Sequence, residues 1–350
     1  AVLDTGIDSN HPDLKTRVKK EKNFTSSSTP VDKQGHGTHC GGIIAASGDL
    51  TGVAPEAILY AGKVLDDGGS GGVVGIAKGI DWATAEGADV ISMSLGGSGA
   101  DSYMPPAIKR AVDAGVIVIA AAGNEGPGAN TDGYPARYEG VISVAACDKN
   151  RAIANFSSRG KSVWITGPGV NVRSTYPGGQ YATMSGTSMA CPHLAGVAAL
   201  WCAGNPGVAK KDRPAAFRNW LKSVGSVAVR TDTTGYGIPD AGKINDGGGP
   251  VTPPIVPPTP VYNFTITHVD LLAAKRAELE ANGIKTLKLE IGTGSPVVPT
   301  PPIPINPPQP MPPTPIPISP PRCIGPGCDQ GGTSSGGWYP GKLLDRIRGR

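Results

Sequence analysis

No apolar run in the 350-residue chain approaches the roughly 18 residues that a membrane-crossing helix needs, which excludes a transmembrane helix. Cysteine is scarce. Six in the whole chain cannot frame a disulfide-built scaffold. Long basic runs are lacking and the net charge is only +4, so charge makes no case for nucleic acid or a membrane surface as partner. Charged residues amount to 17% against 39% hydrophobic, a balance that can bury a core and excludes a wholly disordered chain. Methionine does not open the sequence. Ala1 comes first with no secretory leader ahead of it, which reads as a processed chain or a fragment.

Glycine (51) and proline (35) are abundant, but twenty of the prolines lie between Pro250 and Pro321. Residues 1–247 therefore read as globular and 248–260 as a stiff Pro/Gly linker. Residues 261–295 read as a small strand–helix–strand segment, too short to bury a core alone. Residues 296–350 read as a Pro/Gly-rich, largely extended tail that favours polyproline II.

Within 1–247, short β-branched runs at Val2–Asp4, Ile58–Leu65, Val90–Leu95, Val116–Ala121 and Val141–Ala146 read as strands. Helical patterns lie between them at about 36–46, 73–86, 103–114 and 187–203, with Gly115 a C-cap. Near-continuous apolar strands separated by helices predict an α/β fold, a mostly parallel sheet with helices on both faces. Ligands bind outside the carboxyl ends of such strands, so polar residues just after them matter most.

Four such segments stand out. Asp4-Thr5-Gly6 follows the first strand. The acid reads equally as a turn former or as a carboxylate set at the sheet's edge. Gly35-His36-Gly37-Thr38-His39-Cys40-Gly41-Gly42 opens a helix of small residues, which suggests close packing. Its His-x-x-His-Cys lacks further ligands at zinc spacing, and His39 can be a buried structural residue. Ser185-Gly186-Thr187-Ser188 opens an Ala-rich helix, where a serine is commonly a cap, but here there are more hydroxyls than one cap needs. Ala121-Ala122-Gly123-Asn124-Glu125 ends a strand, and its Asn also suits a left-handed turn. Gly69-Ser70-Gly71 resembles a dinucleotide loop with the wrong spacing and no ribose-binding acid.

Taken together, acid, histidine, asparagine and serine in this order resemble the subtilisin-like serine proteases (subtilases), from Ala1 to about Ala203. The resemblance implies a serine endopeptidase acting on polypeptide substrates, with Asp4, His36 and Ser188 as catalytic triad. Asn124 and the Ser188 N–H form the oxyanion hole. It assigns Asp32 to the substrate cleft. Gly69, Ser70 and Gly71, with Ser94, Leu95, Gly96 and Gly97, become the two segments that sandwich a substrate strand. Ala122, Gly123 and Gly133 wall a roomy apolar pocket with Glu125 at its rim, so large apolar residues are expected before the cleaved bond. No cofactor is required for the chemistry. A structural calcium has two departures against it, the short turn Ser47–Gly52 and Trp164 where relatives carry an acid. Cys40 and Cys191 match free thiols beneath the active site, Cys147 and Cys202 read as core, and Cys323 with Cys328 could close a small disulfide loop. The resemblance further implies a pro-segment outside this chain and a secreted enzyme. The Pro-rich tail is free to carry a binding partner. The rival readings are an inactive binding protein of the same shape and a tail that does the binding. The intact Asp4, His36, Asn124 and Ser188 favour the enzyme.

Overall fold

A computed structural model describes residues 1–245. The expectations for the linker, the strand–helix–strand segment, the tail, Cys323 and Cys328 lie outside the described residues.

Seven parallel strands form one sheet in the order β2-β3-β1-β4-β5-β6-β7. They are β1 (Val2–Asp4), β2 (Val18–Asn23), β3 (Leu59–Lys63), β4 (Val90–Met93), β5 (Ile117–Ala121), β6 (Val141–Cys147) and β7 (Val163–Pro168). An antiparallel hairpin, β8 (Val172–Tyr176) with β9 (Gln180–Met184), stands apart from the sheet. The helices are α1 (His36–Ala45), α2 (Val73–Ala85), α3 (Met104–Asp113), α4 (Thr187–Gly204) and α5 (Arg213–Val224).

The central strands are apolar on both faces because both faces are covered. In β5, Ile117, Ile119 and Ala121 join one core with α1, α4 and α5. Val118 and Ala120 join the other with α2 and α3. That period of two places β5 between two helical layers. Gly115, at φ 82°, ends α3 as expected. Among the described residues no helix is long and apolar enough to cross a membrane.

Four elements went unread in the sequence. β2 (VKKEKN) is a charged, largely exposed edge strand without an apolar pattern. β7, the hairpin and α5 also lacked a strong period.

The crossing of the chain over β1, from β3 to β4, leaves the carboxyl ends of β1, β4 and β5 side by side. α1 packs close against this edge because its glycines admit other backbone and side chains. Gly42 lies against the buried Ser174 and Thr175 of the hairpin, whose hydroxyls donate to the carbonyls of His39 and Thr38 at 2.8 Å each. Gly42→Ala puts a methyl onto those side-chain oxygens and is expected to lower stability by about 1–3 kcal/mol in urea denaturation. Gly72→Ala, which meets open space, should stay within about 0.5 kcal/mol of the parent.

Candidate active site

Asp4 ends β1 and His36 begins α1. Both are buried, and the His36 Nδ1–H donates to Asp4 Oδ1 at 2.8 Å. The Thr5 backbone N–H donates to the same oxygen at 2.7 Å. Thr5 also ties the strand end to the helix, since its Oγ1 accepts from the Gly37 N–H at 2.9 Å and donates to Asp32 Oδ1 at 2.9 Å. With Nδ1 carrying the proton, Nε2 is the basic nitrogen of the neutral ring.

Burial disfavours the imidazolium, but Asp4 and Cys40 outweigh it and hold His36 well above the usual histidine value. Burial also pushes the Cys40 thiol up, so at neutral pH Cys40 is uncharged and Asp4 is the group that supports the proton on His36. His39 points elsewhere. Its Nε2–H reaches the carbonyls of Val172 and Ala182, both at 3.1 Å, so it clamps the hairpin onto α1. Burial, then the neighbouring His36, push it down to about 4. The two histidines do not converge. Among the described residues the compact group of ligand-type atoms is Asp4, His36 and Cys40.

Ser188 lies in the first turn of α4, half-buried. Pro192 falls four residues later in the same helix and has no N–H, so the Ser188 carbonyl loses its helical partner. Two side chains replace it, Ser94 Oγ donating at 2.8 Å and Cys40 Sγ at 3.5 Å. The Ser188 hydroxyl itself donates to the Ser94 carbonyl at 3.4 Å. No hydrogen bond joins Ser188 to His36 among the described residues. Cys40 links them, with its sulfur 3.9 Å from His36 Nδ1.

Asn124 follows β5. Its Oδ1 accepts from the Thr187 N–H at 2.9 Å and the Thr187 hydroxyl at 3.1 Å. That anchorage leaves its amide N–H₂ free to donate. The Ser188 N–H, in the first helical turn, has no intrahelical acceptor. Thr187 was not singled out from the sequence as a positioning residue, although it lies inside the serine motif.

Partners distant in sequence hold several of the residues assigned to the substrate. Asp32 is 2% exposed and saturated. Its Oδ1 accepts from Thr5 Oγ1, Gln34 N and Gly35 N, and its Oδ2 from Thr38 N and Oγ1, all at 2.6–2.9 Å. It builds the loop under His36. Gly97 exchanges both backbone bonds with Tyr134 at 2.9 Å, so its edge is closed. Gly69 and Ser70 are folded into a turn by Asp66, which bonds to both of their N–H groups. Leu95 turns its side chain into the core beneath α2 and α3. Ala122 is fully buried, with its N–H on Val144 and its carbonyl on Gly133. Gly71, Gly96, Gly123 and Gly133 are half-buried. Glu125 is exposed, and its Oε2 accepts from Ser158 Oγ at 2.7 Å.

Cys40, Cys147, Cys191 and Cys202 are all free and buried. At the two places considered for calcium the side chains have partners within the chain. At the Ser47–Gly52 turn, the Asp13 carboxylate accepts from the Asp49 and Leu50 N–H groups and the Tyr181 hydroxyl at 3.0–3.1 Å. Trp164 packs edge-on against Tyr236 and lies under the Arg218 guanidinium.

A buried Asp–His pair, a serine at a helix start and a free amide meet at one edge of a parallel α/β sheet. The chain belongs to the subtilase family (peptidase S8), whose model matches residues 1–238. It is 51% identical over 205 residues to a thermostable alkaline protease of Halalkalibacterium halodurans, covering 57% of this chain and 55% of that protein. It is 48% identical over 204 residues to subtilisin DY of Bacillus licheniformis, covering 57% of this chain and 74% of that protein. The chain thus spans about half the length of the first of these relatives. Among solved structures, the S41 psychrophilic protease matches with a TM-score of 0.64 at 38% identity, covering 68% of this chain and 89% of that one.

The two histidines have opposite pH signatures. The folded value of His36 is raised, so its stabilising contribution is complete below about pH 6.5 and is lost as pH rises through the folded value. That of His39 is depressed, so acid erodes stability from about pH 6.5 down to about 4. An NMR titration of the ring protons is expected to place His36 above the ordinary histidine value and His39 near 4. Asp4→Asn should bring the His36 midpoint down. A His36 midpoint at or below 6.5 in the parent would contradict the pairing.

Proposed function

We propose that this chain is a serine endopeptidase that hydrolyses polypeptides through Asp4, His36 and Ser188. The observation that carries the reading is the buried 2.8 Å pair of His36 Nδ1 with Asp4 at the sheet edge where α4 presents Ser188. A neutral hydroxyl is a poor nucleophile and needs a base. Asp4 holds the Nδ1–H tautomer, so Nε2 can take the Ser188 proton once the hydroxyl swings from the Ser94 carbonyl towards the ring. Ser188 Oγ then bonds to the scissile carbonyl carbon, and its proton passes to His36. The carbonyl oxygen becomes an oxyanion facing the Asn124 amide and the Ser188 N–H. The carbon–nitrogen bond breaks as His36 returns the proton to the leaving amine. Water, activated by the same base, clears the acyl-serine.

The side chain before the cleaved bond enters between Gly96, Gly123 and Gly133, which contribute no side-chain volume. A large apolar group gains about 1.5–3 kcal/mol on full burial. An exposed rim charge such as Glu125 adds only about 0–1 kcal/mol. Phe, Tyr, Leu or Met is therefore favoured, with Lys and Arg tolerated second. Kinship with bacterial subtilisins supports work outside the cell.

A fluorophosphonate should label Ser188 alone, located by mass spectrometry, and a label elsewhere on active protein would sink the assignment. Ser188→Ala should cost about 10⁶-fold in kcat and an Asn124 variant without the amide about 10²–10³-fold, magnitudes carried over from subtilisin itself. The raised His36 value moves the rise of kcat/KM with pH above the ordinary imidazole range. A peptide library should show the apolar preference. A strict Lys/Arg or strict Ala/Gly preference would refute the pocket, and Gly133→Phe should turn the preference towards small residues.

A further inference from the structure

Lys63 ends β3 and is among the largest fully buried side chains of the described residues, at 0% exposure. A lysine in that position is costly unless its ammonium is paired and hydrogen-bonded. Both conditions are met, and by two places that the proposed reaction depends on. The Nζ donates to the Thr5 carbonyl at 2.6 Å and pairs with Asp67 Oδ1 at 2.9 Å. Thr5 is the residue whose N–H holds the Asp4 carboxylate and whose hydroxyl holds Gly37, beside His36. Asp67 stands in the Asp66–Ser70 turn, at the base of Gly71. Lys63 is also the direct register partner of Asp4 across the parallel pair, so the two side chains leave the sheet on the same face. The backbone beyond Lys63 adds to the hold, because the N–H groups of Val64 and Leu65 both donate to the Asp4 carbonyl, at 2.9 and 3.0 Å. A packing role alone would be met by methionine or leucine at lower cost.

We propose that Lys63 is a positioning residue of the peptidase site, whose ammonium fixes the Asp4–Thr5 turn and, through Asp67, locks that turn to the loop carrying Gly71. The inference rests on the proposed peptidase reading. Its action is on the acid that orients the base, and Lys63 itself touches no reacting atom. The charged or titratable groups around His36 are Asp4 from β1, Asp32 from the preceding loop, His39 and Cys40 from α1, Cys191 from α4 beyond Cys40, and Lys63 from β3. Lys63 is the sole lysine or arginine in that set. Removing it takes a buried positive charge from the Asp4–Thr5 turn, which favours the proton on His36.

The test is Lys63→Met in the full chain, with the fluorophosphonate-reactive fraction and thermal melting measured beside kinetics. The fraction reports whether the site forms, so the rates refer to folded enzyme. The expected result is a fall of kcat of about tenfold to a hundredfold, the cost of a slightly misplaced catalytic group. KM is little changed, and the acid limb of kcat/KM moves to higher pH. A merely structural lysine would lower melting and leave the limb in place. Unchanged kcat, or a limb that stays or moves down, overturns the proposal.

If Lys63→Met does not fold, Asp67→Asn decides. This partner lies at the surface, at 36% side-chain exposure, and its loss leaves the ammonium less neutralised. The limb should then move to lower pH by a smaller amount, an effect that shrinks in about 1 M salt. An unmoved limb in that variant likewise overturns the proposal. Failure of the parent chain to cleave peptides or to react at Ser188 would instead refute the peptidase reading itself.

Discussion

The pairing of the Asp4 carboxylate with the His36 ring constrains everything around it. Two groups of opposite charge are held out of water, and such a pair persists only if its geometry is good and its remaining polar atoms are cared for. The neighbourhood meets the first requirement, while Asp4 Oδ2 is buried without a hydrogen-bond partner among the described residues. Thr5, Gly37, Asp32 and Thr38 form one hydrogen-bonded frame joining the end of β1 to the first turn of α1. The glycines of α1 let that frame approach β1 and the hairpin closely, and His39 fastens the helix from its far side. A strand end and a helix start, distant in sequence, therefore behave as one rigid piece.

The substrate side is made differently. Polar backbone near the site is mostly engaged already, as with Gly97 on Tyr134 and the turn closed by Asp66. What remains open is a small number of glycines, with the carbonyl of Ser94 held only by the long contact from the Ser188 hydroxyl. Rigidity of the surroundings and openness of a few positions go together, because a short unpaired edge can stay unpaired only if its neighbours cannot relax onto it.

Much of this was legible in the sequence. The five strands read from β-branched runs and the four helices read from periodicity are present, with boundaries shifted by one or two residues. β2 was hidden because an edge strand of lysines carries no alternation. The acid, histidine, asparagine and serine were found because each follows a strand or opens a helix, which is a property of order along the chain. The partners of Asp32, Leu95, Gly97 and Ala122 were hidden in the sequence for one shared reason. Proximity to a motif does not tell whether a group faces the cleft or is saturated from behind, and that depends on partners distant in sequence, such as Tyr134 for Gly97 and Gly133 for Ala122. Lys63 was silent for the opposite reason. A lysine at a strand end reads as solvent-facing until its carbonyl and carboxylate partners are seen.

Pro192 gives the serine an uncommon form of attachment. The missing N–H frees the carbonyl of Ser188, and Ser94 and Cys40 grip the residue there, by its backbone. The hydroxyl contributes little to where the residue sits, held only by a long contact to Ser94. Shape and reactivity at this position are therefore separable. On the proposed reading, a chain without the Ser188 oxygen keeps the walls of the cleft, the amide of Asn124 and the imidazole in place, and would still grasp a polypeptide that it has no means to cut.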